Sequence, residues 1–251
     1  MPVKGSKKVI LFIVEGPSDE TALSTVLCRI FSTEKTRFFV VYGDVFTQNG
    51  IFPNKIVSAV GAQVKKFMDM YHFRPSDIEK VIHLTDTDGA FIPKDAIVEE
   101  CVEGKEYPHY AESRILTPDP QGIIFRNKIK SENLQRMVAT GQIRKIPYRL
   151  YYFSCNLDHV LYNQTNLSDE EKRRMAEDFD ARYADNAEAF IHFIKDSDFS
   201  VGGLYKDSWK FIETDTNSLQ RHTNLGLLFD GVPTTQNSEN SQTVKTDFCS
   251  T

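Results

Sequence analysis

The sequence has little that would tie it to a membrane, to a disulfide framework or to nucleic acid by bulk charge. Its longest apolar run, Val9 to Val14, is far shorter than the roughly 20 residues a membrane-spanning helix needs. Only four cysteines occur, Cys28, Cys101, Cys155 and Cys249, spread out with no CxxC pair, so neither a zinc knuckle nor a disulfide scaffold is indicated. The basic opening Met-Pro-Val-Lys-Gly-Ser-Lys-Lys is not followed by the apolar core and cleavage site of a secretory signal. The expectation is a protein of a reducing compartment, cytoplasmic, with no membrane partner. Lys and Arg total 30 against 35 acids, a net charge of -5, so any contact with nucleic acid must come from a local basic patch. No internal repeat is present. What remains is an ordinary globular composition, 40% hydrophobic and 26% charged over 251 residues, enough for one decorated domain or two small ones.

The first half alternates strand and helix patterns. Val9 to Val14 is a continuous β-branched and aromatic run, as a strand buried on both faces requires. Gly16-Pro17-Ser18 breaks it. Ser18 is the expected cap of a helix whose first turn carries Asp19 and Glu20, favourable near the positive end of the helix dipole. Phe38 to Tyr42 reads as a second strand, ended by Gly43-Asp44. Ile56, Val60, Val64, Phe67 and Met68 form the stripe of a second helix reaching about His72. Val81 to Leu84 reads as a short third strand that stops at Thr85-Asp86-Thr87-Asp88-Gly89.

Periodicity is lost from about 90 to 122, where prolines appear, and this stretch reads as an insertion or long loop. Ile123 to Val138 looks helical, and Tyr148 to Phe153 gives a fourth strand. Ser168-Asp169-Glu170-Glu171 is a capping-box sequence opening a charged helix, and a further helix is expected over Asn186 to Lys195. The pattern predicts an α/β fold, a Rossmann-like parallel sheet with flanking helices over residues 1–165. A mainly helical extension over 166–231 follows, and then a polar, disordered tail over 232–251.

Two clusters sit just past the C-terminal ends of predicted parallel strands, where ligands bind in open α/β sheets. One is Glu15-Gly16-Pro17-Ser18-Asp19-Glu20, the other Asp86-Thr87-Asp88-Gly89. If the first and third strands are neighbours, Glu15, Asp86 and Asp88 converge on one crevice. Bare carboxylates so placed repel one another, and a divalent cation with oxygen ligands, Mg²⁺ or Mn²⁺, relieves that repulsion while positioning a phosphodiester and activating water. The plainer alternatives are helix-start chemistry for Glu15 and Asp19 and a polar turn for Asp86 to Gly89.

A strand ending in Glu-Gly, then a helix, then a later strand ending in Asp-x-Asp resembles the Toprim domain of topoisomerases, primases, OLD-type nucleases and small RNA-processing nucleases. The resemblance spans roughly residues 7 to 165. It implies Mg²⁺-dependent cleavage or transfer at a phosphodiester, with Glu15 as metal ligand or general acid/base and Asp86 and Asp88 as metal ligands. Ser154-Cys155-Asn156-Leu157-Asp158-His159-Val160-Leu161 is similar to the Ser-Asn-Pro-x-Phe-Glu-x-Trp-Leu-Leu segment of RloB-like and related OLD-type proteins of prokaryotic antiviral systems. Here the order is shifted, proline is missing and Asp158 stands for the glutamate. Asp19 joins Glu15, Asp86 and Asp88 as a catalytic candidate, and Glu20, Asp158 and His159 are further site candidates, with a helix start capped by Asn156 as the structural alternative for the last two. Such relatives are commonly coupled to an ATPase. No Gly-x-x-x-x-Gly-Lys-[Ser/Thr] loop is present, so an ABC- or SMC-like ATPase would be a separate partner. The resemblance also implies a homo-oligomer.

Between Ile123 and Leu150 lie Arg126, Lys128, Lys130, Arg136, Arg144, Lys145 and Arg149 against the single acid Glu132. The expectation is a surface that tracks a DNA or RNA backbone, the alternative a solvated cationic face. Arg221 either reaches a phosphate or satisfies carbonyls, and Trp209 is read as core. Two other functions compete with nuclease: a haloacid-dehalogenase-type phosphatase using Asp86-Thr87-Asp88-Gly89, and a non-catalytic Toprim-like binding or scaffold module.

Overall fold

The computed structural model describes residues 8–31, 35–101, 104 and 107–231. The first residues of the basic opening and the polar tail with Cys249 lie outside them. The elements, in order, are β1 (Val9–Val14), α1 (Pro17–Ile30), β2 (Lys35–Val40), α2 (Ile56–Tyr71), β3 (Ile78–Asp86), β4 (Ile97–Glu99), β5 (His109–Tyr110), β6 (Ile115–Thr117), α3 (Pro120–Val138), β7 (Gln142–Ile143), β8 (Ile146–Phe153), α4 (Leu157–Tyr162), α5 (Asp169–Tyr183), α6 (Ala187–Asp196) and α7 (Tyr205–Ile212). The fold is α/β. Its main sheet runs β2-β1-β3-β8-β7, parallel except for the β7–β8 hairpin, and β1 and β3 are direct neighbours.

All six residues of β1 are buried, because helices cover both faces of the sheet. The period of two sorts them. Ile10, Phe12 and Val14 face a layer built from Ala22, Leu23 and Val26 of α1, Phe179 of α5 and Phe190 of α6. Val9, Leu11 and Ile13 face Val60, Val64 and Phe67 of α2, Leu134 and Met137 of α3, and Trp209 and Ile212 of α7. The C-terminal helices therefore complete both layers, and Trp209 is a core residue.

Two boundaries move for stated reasons. Helix α1 is capped by extended Gly16 rather than Ser18, since Pro17 suits the first helical position and Asp19 accepts the Gly16 N–H at 2.9 Å. The aperiodic stretch folds into a small sheet, β4-β6-β5, whose strands of two or three residues are too short to show alternation. This sheet covers a minor core of Ile92, Ile97, Ile115, Cys155 and Leu219.

The C-terminal segment buckles the strand ends. The Ser218 carbonyl accepts from Thr87 Oγ1 at 2.8 Å, from the Cys155 N–H at 2.9 Å and from the Gly89 N–H at 3.2 Å. Asn224 Oδ1 accepts the Tyr152 N–H at 2.9 Å. Gly89 is at φ +66°, and a Cβ there would lie 2.6 Å from Leu219 Cδ2 and 3.1 Å from Ile115 Cδ1. Gly89→Ala is therefore expected to cost about 2 kcal/mol or more, from backbone strain and overpacking together, read as a lower urea midpoint at unchanged slope. Among the described residues, no helix is long and apolar enough to cross a membrane.

Candidate functional site: an acidic cleft at the strand ends

Glu15 is the first residue past β1, Asp86 the last of β3, and the β1–β3 register brings them together. Glu15 Oε1 accepts from Thr85 Oγ1 at 2.8 Å and from the Asp86 N–H at 3.2 Å. Asp86 Oδ1 accepts the Leu157 N–H, at the start of α4, at 2.9 Å. Asn156 caps that helix by accepting the His159 N–H at 2.8 Å, so capping and site-building coincide here. Around the pair opens a cleft of about 270 Å³, walled by the carboxylates of Glu15, Asp19, Asp86, Asp158 and Asp169 with Lys172. Lys172 Nζ stands 3.9 Å from Asp158.

Five acids wall the cleft with one amine, and burial sets the proton affinities of four of them. Burial, then the Asp44 carboxylate, pushes Glu15 up to about 8. Burial, with Glu15 and Asp19 adding repulsion, holds Asp86 well above the ordinary carboxyl value. Burial also lifts Asp19 and Asp158 to about 6, in Asp19 despite the Gly16 hydrogen bond and in Asp158 despite Lys172.

Asp88 has the opposite environment. It does not wall the cleft; its carboxylate is ion-paired with Lys130 and accepts the Tyr110 hydroxyl at 3.1 Å. Burial alone would raise it, but Lys130 and then Arg126 overcome burial and hold it below the ordinary value. Lys130 is fully buried and also pairs with Asp44 at 2.8 Å. Arg126 donates to the Asp88 carbonyl at 2.8 Å and to Tyr110 Oη at 3.1 Å. The strand ends thus carry an ion-paired compartment, Lys130 with Asp44 and Asp88, beside the acid-walled cleft, and Glu15 feels the charges of both.

The basic stretch does not form one surface. Lys130 has no exposed side chain and cannot meet a polynucleotide, and Arg126 is largely committed to Asp88 and Tyr110. Arg144 and Lys145 form the β7–β8 hairpin turn at the N-terminal edge of β8, across the sheet from the cleft. Their positive φ values, +52° and +69°, match a two-residue turn of the twist hairpins favour. Arg149 lies over the Tyr205 ring. Lys128 and Arg136 remain exposed on α3.

Glu20 is outside the lining of the cleft, on the next position of α1. His159 is outside it too; burial, then Arg221, lowers its pKa to about 4, which keeps the ring neutral. Arg221 satisfies the Val160 carbonyl at 2.7 and 3.0 Å. Sequence reasoning missed Asp44, Tyr110, Asp169 and Lys172. Asp44 follows the second parallel strand at the same sheet edge as Glu15, a position that could have flagged it; Tyr110, in the aperiodic stretch, gave no signal.

Among the described residues, no group of three His, Cys, Asp or Glu side chains is already drawn together to hold a metal ion. The donor set nonetheless suits a hard cation that keeps its waters. Glu15 and Asp86 each use one oxygen on a protein donor, and further carboxylates wall the same cleft. Compared with known proteins, the chain matches no family model, no curated protein and no solved structure.

Proposed function

We propose that the chain is a Mg²⁺- or Mn²⁺-dependent Toprim-type nuclease that hydrolyses phosphodiester bonds of DNA or RNA, the effector of an antiviral defence system working with a separate ATPase. The observation that carries this reading is the acid-walled cleft at the ends of two adjacent parallel strands, where Glu15 Oε1 meets the Asp86 N–H at 3.2 Å and burial with mutual repulsion raises both carboxyls. A divalent cation held there would supply neutralisation of the phosphate and an acidified water. Glu15 and Asp86 are the residues that would hold it. Asp19 and Asp158, on the same wall, are the carboxylates that would accept a proton from water. Asp88, anchored by Lys130, fixes the loop beyond Asp86 rather than offering a free charge.

The test is cleavage of labelled single- and double-stranded DNA and RNA with millimolar Mg²⁺ or Mn²⁺. Wild type is expected to cut at least one of these and to stop in EDTA. Glu15→Gln and Asp86→Asn should each lower the rate by about 10²–10⁴-fold with the circular dichroism spectrum unchanged. Equal rates in wild type and both variants would sink the proposal.

A further inference from the structure

Beside the paired compartment lies a groove of about 220 Å³, lined among others by Gln48, Asn49, Phe52, Phe125, Arg126 and Ile129. Its two phenylalanines stay in water, Phe125 being 62% exposed and Phe52 44%. Leaving such rings uncovered forgoes part of the roughly 1.5–3 kcal/mol that full burial of a phenylalanine is worth, and an occupant of the groove would recover it. Gln48 and Asn49, both exposed, bring amide groups to the same wall. An acyl chain would leave those amides unmatched. A flat heterocycle with apolar faces and a polar edge satisfies both rings and amides.

The groove is tied to the proposed reaction centre. Arg126, on its wall, donates to the Asp88 carbonyl at 2.8 Å, and Asp88 is two residues, at most about 7 Å of chain, from Asp86 in the cleft. Exposed cations flank both aromatics in sequence, Lys55 three residues after Phe52 and Lys128 one helical turn after Phe125. A base within a duplex is stacked and cannot enter.

We infer that this groove seats an unpaired nucleobase of a single polynucleotide strand, with Phe125 and Phe52 as its stacking walls, so that the substrate enters single-stranded. This rests on the nuclease reading for the identity of the strand, not on hydrolysis.

The test is fluorescence anisotropy with a labelled mixed-sequence single strand in EDTA, which permits binding without turnover. Phe125→Ala and Phe52→Ala are expected to weaken binding roughly five- to a hundredfold. Phe125→Tyr should bind as wild type. An abasic strand of equal length should bind weakly and be indifferent to Phe125→Ala. Unchanged affinity in Phe125→Ala and Phe52→Ala at unchanged melting temperature would overturn the inference, as would an abasic strand bound as tightly as the normal one. Metal-dependent cleavage by wild type with those unchanged affinities rejects the groove alone. Phe125-dependent binding without cleavage of any substrate supports the groove and rejects the nuclease.

Discussion

Glu15→Gln is expected to melt at a higher temperature than the wild-type protein above about pH 8, and the gap should close as the pH falls toward 4.5. In the unfolded chain the Glu15 carboxyl has its ordinary value near 4.5; in the folded chain burial and Asp44 raise it to about 8. Across that window the native state binds a proton that the unfolded state has released. Stability therefore falls as pH rises, and the penalty is fully present only above the folded value. At about 1.4 kcal/mol per pH unit the penalty is of the order of a few kcal/mol, or about 5–15 °C for a chain of this size. Asp86 titrates with Glu15, so Asp86→Asn should give the same sign, and the two protons belong to the pair. Saturating Mg²⁺ should raise the wild-type melting temperature at pH 8 and leave the Glu15→Gln Asp86→Asn double variant unmoved. A flat difference between wild type and Glu15→Gln from acid to alkaline pH would mean that the cleft is not charge-starved, and the case for a cation would go with it.

How much of this was legible in the sequence depended on the range of the interactions. The six apolar residues of β1 announce a buried strand because both faces are covered, and the Glu-Gly and Asp-x-Asp pairs announce strand ends because the chain must turn there. Ser168 accepts the Glu171 N–H as its capping-box pattern predicts, since both partners lie within one turn. Lys130 was misread because its neighbours in sequence, Arg126 and Lys128, suggest a basic surface, while its carboxylates, Asp44 and Asp88, arrive from the loops that follow β2 and β3. The division of the acids into paired and unpaired sets has the same origin. It is settled by which strand end a lysine on α3 reaches, and no local pattern encodes that. Ser218 is a similar case: a serine in an irregular segment closes the ends of β3 and β8 through its backbone carbonyl.

Lys130→Met tests the paired compartment, and it should be among the most damaging single substitutions in the protein. The side chain is fully buried, its ammonium shared by Asp44 and Asp88. Burial would lower its pKa, but Asp44 and then Asp88 overcome that and hold it well above the ordinary lysine value, so it stays charged at any working pH. Removing it leaves the mostly covered Asp44 carboxylate without its ion-pair partner and Asp88 with only Arg126 and the Tyr110 hydroxyl, a defect that costs about 3–5 kcal/mol and about 6–20 °C in melting temperature. Methionine has nearly the volume of the lysine stem, so little of the loss comes from a cavity. The second variant separates charge from shape: Lys130→Met with Asp88→Asn removes one stranded charge and should recover part of the loss, whereas Asp88→Asn alone should be mildly destabilising. If the double variant is no more stable than Lys130→Met, the pairing contributes nothing and the lysine is held by packing alone. Because Asp88 sits two residues beyond Asp86, the same series should lower metal-dependent cleavage in step with the loosening of that loop, while Lys128→Ala, on the exposed face of α3, leaves stability within about 0.5 kcal/mol of wild type.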